Sequence, residues 1–367
     1  MRKFTIPGAP IRKIIRLEEP SKINTTNGQR IDKETETIQS NCRDAKKRRE
    51  GKKMDGKKIG FANLKFDISS SVKLRTFRAM CYRLIAAICL CGAVSGFAAE
   101  TVGVGPSFKG PCGLVLYSVR DEMAHNPSNA LDQVGKLGFR YVEIGGTREL
   151  SPATPEAQRD FLAQLGARNL KAVSCHFTFE RFRDDIDGVI RDAQNLGVQY
   201  VCCAGISHQS KFDEKACSEG IAVFNHAGET LAKHHLTLCY HPHGFEFEPS
   251  GSGTLFDKLI TETNPKFVSY EMDVFWIYFA GQDPVQLLKK YPKRWKLMHL
   301  KDMKKGDTPP KIDLHSSVAL GSGQLNMSAL LRAARREGVK YYFIEDESPD
   351  VLQQLPLSLA YLEQLKW

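Results

Sequence analysis

Eight short apolar runs, separated by segments with helical spacing, constrain the fold of this chain more than any other feature. The runs cover residues 113–118, 140–144, 171–177, 199–204, 236–241, 267–273, 296–301 and 340–345. The clearest helical segments between and after them are 126–139, 184–198, 217–236, 283–295, 326–339 and 348–365. Strands that alternate with helices predict a parallel sheet joined by right-handed crossovers.

Eight strand–helix units in about 250 residues are typical of a (β/α)₈ TIM barrel. We therefore predict a single α/β domain, a TIM barrel over residues 112–367. The alternative is an open doubly wound sheet, which would need a glycine-rich phosphate loop after its first strand. The first run leads instead into the sequence YSVRDEM, and the chain contains no G-x-G-x-x-G or Walker motif.

The positive charge of the chain is concentrated in its N-terminal segment. The full sequence has a net charge of +10, with 52 Lys+Arg and 42 Asp+Glu. Residues 1–80 hold 21 of the basic and 9 of the acidic residues, so the remainder has a net charge of −2. This distribution argues against a nucleic-acid partner for the barrel. Residues 1–79 are predicted to be a disordered basic leader, or the product of a wrongly assigned start codon.

Residues 80–98 resemble a secretory signal peptide placed inside the chain. Arg83 precedes an apolar stretch over 84–94, and the small residues Gly96 and Ala98 suit cleavage after Ala98. We predict Met80 as the true initiator, residues 99–111 as a linker, and an exported protein, periplasmic or secreted. No stable membrane insertion is expected after cleavage. A buried helix or an uncleaved signal-anchor is the alternative.

Polar side chains stand at the ends of most predicted strands. Residues two apart on a strand share a face, so the pairs can reach the mouth of the barrel together. Buried carboxylates that converge without a counter-charge are costly, and a divalent cation removes that cost. Mixed histidine and carboxylate ligands favour Mn²⁺, Zn²⁺, Co²⁺ or Fe²⁺ over Ca²⁺. The strand-end residues are Glu143, His176, His241, His243, Glu271, Asp273, His299, Lys301, Glu345 and Glu347.

Taken singly, each of these residues has a structural explanation. A histidine at a strand end is more often hydrogen-bonded than a ligand, and an acid there often caps the next helix. Asp302 and Asp346, next to two of the strand ends, are predicted to serve as caps or supporting residues of this kind.

The sequence resembles the xylose isomerase-like barrels, the superfamily of sugar phosphate isomerases and epimerases. Inosose dehydratases and endonuclease IV-type enzymes belong to the same group. The resemblance covers about residues 112–367. Its motifs are GLVLYSVRDEM, GFRYVEIGG, YHPHGFEF, YEMDVFW, MHLKD, LGSGQLNMSALL and FIEDE.

The resemblance implies one divalent cation held by residues of the last four strands, with Mn²⁺ first and Zn²⁺, Co²⁺, Fe²⁺ or Mg²⁺ as alternatives. Its usual ligands are Glu, Asp, His and Glu. Asp273, His299 and Glu345 match this pattern, whereas the fifth strand offers His241 in place of the glutamate. A site with two histidines and two carboxylates is therefore expected, with Glu143 as the alternative to His241 for the fourth ligand.

The activity implied is that of a sugar or cyclitol isomerase or epimerase, which removes a proton next to a carbonyl. Glu143 and Glu345 are the expected bases, and Lys301 or His176 could act as an acid. If only one base is available, the reaction becomes a β-elimination from an inosose, a 3-keto sugar or a glycoside, which makes the protein a lyase or dehydratase. The expected contacts to substrate hydroxyls are His176, His243, Tyr117 and Arg120.

Two further classes of protein are alternatives to an enzyme acting on sugars. An endonuclease IV-like phosphodiesterase would need a basic face and three zinc ions. A non-catalytic sugar-binding barrel would need a broken ligand set. The expected partner is a small sugar or cyclitol, without nucleic acid, and formation of a homo-oligomer is left open.

Overall fold

The eight predicted strands form a closed parallel barrel in the computed structural model, which describes residues 102–145, 152–308 and 317–367. Each strand pairs with its neighbours in the chain, and the first strand closes the barrel against the last. The predicted (β/α)₈ TIM barrel is confirmed. The strands are β1 (Cys112–Val115), β2 (Tyr141–Ile144), β3 (Lys171–Phe177), β4 (Tyr200–Cys203), β5 (Thr237–Tyr240), β6 (Val268–Asp273), β7 (Trp295–Leu300) and β8 (Tyr341–Ile344).

Closure joins β1 to β8 with Cys112 opposite Tyr342 and Leu114 opposite Ile344. This close approach requires a glycine between them. A Cβ on Gly113 would lie 2.7 Å from both Phe343 Cδ1 and Tyr141 O. Just after these strands, the backbone N–H of Asp346 donates a hydrogen bond to Ser118 Oγ at 3.0 Å. This bond links the segment after β1 to the segment after β8.

Helices surround the barrel, and all six predicted helical segments contain one. Side chains of Asn126, Asp185 and Asp213 accept hydrogen bonds from the first turns of three of them, as N-caps do. The helices are α1 (Arg120–His125), α2 (Pro127–Lys136), α3 (Pro155–Gly166), α4 (Phe179–Asp184), α5 (Ile186–Asn195), α6 (Glu214–Lys233), α7 (Leu255–Glu262), α8 (Val274–Phe279), α9 (Pro284–Lys290), α10 (Met327–Glu337) and α11 (Val351–Gln364).

Apolar side chains pack in two layers. The larger layer lies between the strands and the helices, and Trp295 is wholly buried there, with its ring 5.9 Å from the ring of Phe256. The second layer includes Val115, Val173 and Leu297. Within the described ranges, all six cysteines are buried and unpaired, as expected of small core residues.

The predicted leader and signal peptide lie outside the described residues, as does the start of the predicted linker. Residues 102–111 of that linker are described and pack on the barrel, where the Phe108 ring lies 5.0 Å from Tyr342. Among the helices that the structure describes, none combines the length and the apolar character needed to cross a membrane.

Candidate metal centre

Three overlapping groups of side chains that could hold a metal ion lie near the C-terminal ends of the strands. The outer group consists of Asp273, His299 and Glu345, and the inner group consists of His176, His241, Glu271 and His299. The third group joins Glu143 and Cys202 to His176 and Glu271. Within each group, one ligand atom of every residue lies within 4.8 Å of the others. Glu271 precedes Asp273 by two residues on β6, so the inner group lies deeper in the barrel.

In the outer group, His299 Nδ1 lies 2.8 Å from Glu345 Oε2 and 3.8 Å from Asp273 Oδ2. Asp273 also caps α8, because its Oδ1 accepts hydrogen bonds from the backbone N–H groups of Phe275 (2.8 Å) and Trp276 (3.2 Å). Its other oxygen, Oδ2, is buried and receives no hydrogen bond. The local fold therefore fixes this carboxylate and leaves one oxygen directed at the group.

In the inner group, two imidazole nitrogens approach the same oxygen. Glu271 Oε2 lies 3.0 Å from His176 Nε2 and 3.1 Å from His241 Nδ1. Glu271 Oε1 is buried and receives no hydrogen bond. The nearby His299 Nε2 lies 3.4 Å from this oxygen but only 2.6 Å from Glu143 Oε1.

Glu143 borders the outer group and belongs to the third, with His176, Cys202 and Glu271. It is wholly buried, its Oε1 lies 2.9 Å from His176 Nε2, and its Oε2 accepts a hydrogen bond from Ser174 Oγ. Both of its oxygens are thus occupied by neighbouring side chains. His299 lies between this carboxylate and Glu345, with one ring nitrogen directed at each.

The carboxylates perturb one another strongly. Burial and the charge of Glu345 raise the pKa of Asp273 to about 8. Burial would also raise the pKa of Glu345, but the charges of Lys301 and His299 outweigh it and hold that pKa well below its usual range. Burial and mutual repulsion therefore oppose the simultaneous ionisation of Asp273 and Glu345 when no cation is bound.

The imidazoles respond in opposite ways. Burial would lower the pKa of His176, but the charges and hydrogen bonds of Glu143 and Glu271 raise it to about 10. Burial lowers the pKa of His241, and burial together with the charge of His241 lowers that of His243. His176 thus tends to be charged, whereas His241 and His243 tend to be neutral.

The Lys301 ammonium group lies over two aromatic rings. Its ammonium nitrogen is 4.9 Å from the ring centre of Phe275 and 5.6 Å from that of Trp276. It forms an ion pair with Glu347 and is wholly buried. This placement makes Lys301 a fixed positive charge that holds Glu347, which is partly exposed.

The predicted substrate contacts occupy different places. His243 lies near Trp276, with ring centres 5.2 Å apart, and its Nδ1 is buried without a hydrogen bond. Arg120 covers the Tyr117 ring at 4.6 Å and donates to the Tyr117 carbonyl, so these two residues contact each other. Both are half-buried.

A cavity of about 740 Å³ reaches the inner group from the side of β3 and β4. Its lining includes His176, Phe177, Arg181, Gly205 and Ser207. A molecule in this cavity would meet the inner group at His176, the residue of that group with a partly exposed side chain.

Three residues important to the site were not among the predicted ligands or catalytic residues. Glu271 is the centre of the inner group, and its position two residues before Asp273 was the available signal. Ser174 holds Glu143, and Glu246 accepts hydrogen bonds from the Tyr240 hydroxyl and from the backbone N–H groups of His243 and Gly244. Contacts of this kind depend on neighbouring strands or on a turn, which spacing alone does not reveal.

The outer group fits a divalent cation. A buried carboxylate oxygen without a donor is costly, and Asp273 Oδ2 is such an oxygen next to a second carboxylate. One imidazole and two carboxylates are a donor set suited to Mn²⁺, Fe²⁺, Co²⁺ or Zn²⁺. Asp273, His299 and Glu345 were all predicted ligands, whereas the structure places His241 in the inner group.

The fold and the site together place this protein among the (β/α)₈ barrels that carry a candidate metal centre of histidines and carboxylates at the C-terminal ends of the strands. Within that class the family is shown by sequence. Residues 131–367 match the xylose isomerase-like TIM barrel family, and the chain belongs to it.

Curated relatives with detectable sequence similarity include inosose dehydratases. The inosose dehydratase of Lacticaseibacillus casei is 22% identical in an alignment of 265 residues that covers 63% of this chain and 85% of that protein. Inosose dehydratase 1 of Bacillus cereus is 34% identical in an alignment of 118 residues that covers 30% of this chain and 38% of that protein.

Solved structures confirm the fold. A sugar phosphate isomerase/epimerase from Parabacteroides distasonis superimposes with a TM-score of 0.57 at 24% identity, covering 71% of this chain and 96% of that one. The IolI protein with a bound zinc atom gives a TM-score of 0.54 at 15% identity, covering 68% and 94%. At these identities the likeness describes the fold alone.

Proposed function

We propose that this protein is a divalent-cation-dependent lyase that eliminates water or an alcohol from a keto sugar or keto cyclitol. The observation that carries the proposal is the burial of the carboxylates. Among Glu143, Glu271, Asp273 and Glu345, only Glu345 keeps exposed area, at 8%. Proton exchange on both faces of one carbon needs two accessible bases, whereas elimination needs one base and one acid.

Glu345 is the proposed base. A cation held by Asp273, His299 and Glu345 would supply Lewis-acid polarisation of the substrate carbonyl. Glu345 directs Oε2 at His299 Nδ1, which leaves Oε1 to take the proton from the carbon next to the carbonyl. Lys301 holds the proton of its ion pair with Glu347, and the partly exposed Glu347, at the same end of β8, can pass that proton to the departing oxygen. Lys301 is thus the proposed source of the proton, and Glu347 returns to its ionised form when Lys301 is reprotonated from solvent.

The substrate is proposed to lie over Trp276 and His243. Trp276 offers a partly exposed aromatic face of the kind that stacks on a sugar ring, and His243 Nδ1 is a buried polar atom in need of a partner. The inosose dehydratase relatives support a keto cyclitol as substrate. The predicted export of the protein favours an unphosphorylated molecule.

The test is incubation of the Mn²⁺-loaded protein with inosose and 3-keto sugars in D₂O, followed by NMR and mass spectrometry. A lyase yields the unsaturated or diketone product with loss of water or alcohol. An isomerase or epimerase, which shares the first step, yields deuterium at the carbon without that loss. If neither change occurs across the panel, the proposal is wrong.

A pair of variants separates chemistry from folding. Glu345→Gln should lower turnover by roughly 10²–10⁴-fold, the usual contribution of a general base. Glu262→Gln makes the same chemical change at an exposed position of α7 and should leave turnover unchanged. Comparable turnover in the two variants would contradict the assignment of the base.

A further inference from the structure

The end of the barrel opposite the candidate metal centre carries charge of one sign. Every barrel strand starts at this end, which we call the basal face, and the helix before each strand ends there. The described segments that lead into the strands at this face, together with the residues after α11, hold eight Lys or Arg and no Asp or Glu. They are residues 102–111, 137–140, 167–170, 196–199, 234–236, 263–267, 291–294, 338–340 and 365–367.

The mouth of the barrel has the opposite charge. Its described strand-to-helix segments hold nine Asp+Glu against four Lys+Arg. Helix macrodipoles favour acids at helix N-termini and bases at C-termini, but that effect falls off within the first and last turns. Lys109, Lys266 and Lys340 lie outside the helices, in loops of the basal face. The basic charge therefore exceeds what the helix dipoles select.

Much of the basal charge has no counter-charge. The last turns of the helices that end at this face add six basic and four acidic residues, so the excess of positive charge remains. The side chains of Arg336, Lys340 and Lys366 are exposed, and none of them forms an ion pair or a hydrogen bond with another residue that the structure describes. Like charges crowded on one face repel each other, and an anionic partner would relieve that repulsion.

An exposed tryptophan lies among these charges. Trp367 is 37% exposed and forms a crevice of about 340 Å³ with Arg332, Arg335 and Arg336. Its backbone N–H donates to Ser107 Oγ at 2.9 Å, and Arg335 Nη1 donates to the carbonyl oxygen of the same serine at 3.4 Å. Both the indole and the guanidinium are therefore held on the basal face by one support.

Two tyrosines add to the aromatic surface of this face. Tyr141 and Tyr341 are the first residues of β2 and β8, both are half-buried, and their ring centres lie 5.4 Å apart. Trp and Tyr beside Lys and Arg are the side chains that proteins place at the boundary between lipid and water. The absence of acids from the basal loops fits the same environment, because anionic headgroups repel carboxylates.

We propose that the basal face docks on the headgroups of an anionic phospholipid bilayer. Each Lys or Arg next to such a surface strengthens binding about fivefold. The acidic mouth is repelled by the same headgroups, so the barrel lies with its candidate metal centre directed away from the lipid and open to substrate. The predicted export of the protein favours lipid over nucleic acid as the anionic partner.

The first test measures binding of the full chain to vesicles of equal parts phosphatidylglycerol and phosphatidylcholine by sedimentation. The triple variant Arg336→Gln, Lys340→Gln, Lys366→Gln should bind on the order of 100-fold more weakly than wild type at low salt. The matched control is Lys215→Gln, Lys304→Gln, Lys305→Gln, which removes the same charge from exposed positions on the mouth side and should bind like wild type. Residues 1–79 are the same in all three proteins, so their basic charge cancels in the comparison.

The second test reports on the orientation. The sequence contains three tryptophans, of which Trp295 is wholly buried and Trp276 lies at the mouth. Vesicles with brominated acyl chains should therefore quench the emission of wild-type protein through Trp367. The conservative variant Trp367→Phe should lose this quenching and keep the circular dichroism spectrum of the wild type.

Equal binding of the two triple variants would overturn the basal face as the docking surface. Quenching that is absent from wild type, or that persists in Trp367→Phe, would overturn the orientation. Heparin that binds the basal face while the vesicles leave Trp367 unquenched would identify a soluble polyanion and overturn the lipid. None of these measurements uses a substrate, so the result is independent of the proposed lyase activity.

Discussion

Asp302 organises the glycine-rich loop that follows β7, and its removal should destabilise the barrel in a measurable way. Its carboxylate accepts four backbone N–H groups, from Met303 (2.8 Å), Gly321 (2.9 Å), Leu325 (3.1 Å) and Gly323 (3.2 Å). The loop wraps so closely that a Cβ on Gly323 would lie 2.2 Å from Asp302 Oδ1.

Asp302→Ala leaves all four donors without this acceptor. Met303 and Leu325 are buried, so leaving each of their backbone N–H groups without an acceptor lowers the free energy of unfolding by about 1–3 kcal/mol. The N–H groups of Gly321 and Gly323 are more exposed and can donate to water instead, which limits the loss to about 0.5 kcal/mol each. The total is about 3–7 kcal/mol, and the middle of that range lowers the Tm by roughly 10 °C for a barrel of this size.

Asp302→Asn keeps one oxygen and should lose about half as much, because its amide nitrogen cannot accept. The assay is thermal and urea unfolding followed by circular dichroism, with Asp160→Ala in α3 as an exposed control. A loss below about 1 kcal/mol in Asp302→Ala would refute the reasoning, since two buried donors alone exceed that amount.

Three further predictions concern the site and the barrel. Asp273 has a pKa of about 8 in the metal-free fold against about 3.9 unfolded. The stability that this raised pKa gives the metal-free fold is therefore complete below about pH 4 and is lost as the pH rises through about 8. The difference in Tm between Mn²⁺-loaded and metal-free protein should accordingly widen from about pH 6 to about pH 8. Gly113→Ala should cost about 2–3 kcal/mol because its Cβ meets Phe343, whereas Gly166→Ala in α3 meets nothing within 4 Å and should be neutral or stabilising in urea unfolding. Trp276→Ala should raise KM roughly tenfold with little change in Tm, because the ring is partly exposed at the proposed substrate face; an unchanged KM would contradict that placement.

The barrel and the outer group could be predicted because both depend on short-range patterns. Strand ends are visible in sequence, and parallel strands place their ends at one mouth, which brought Asp273, His299 and Glu345 together. Five of the described helices had no predicted counterpart. One of them, α8, is an almost continuous run of apolar residues, because its side chains face both the barrel and its mouth. Such a run lacks the helical alternation of apolar and polar residues from which a helix is predicted.

The inner group could not be predicted because its membership depends on how deep each strand-end side chain lies in the barrel. Glu271 and Asp273 share a face of β6, and sequence does not say which of the two reaches the ligands of the neighbouring strands. His241 illustrates the same limit. Its strand end was identified, but its Nδ1 lies 3.1 Å from Glu271 Oε2, a contact between two strands that spacing along one strand does not reveal.

The closure of β1 against β8 has a consequence for the synthesis of the chain. The contact between Ser118 and Asp346 spans 228 residues, so the barrel cannot close until β8 has left the ribosome. Until then the edge of β1 lacks its partner and is open to pairing with other strands. Nascent chains stalled before β8 should therefore bind chaperones and resist compaction, and release of the last strand should be the step that commits the protein to its native topology.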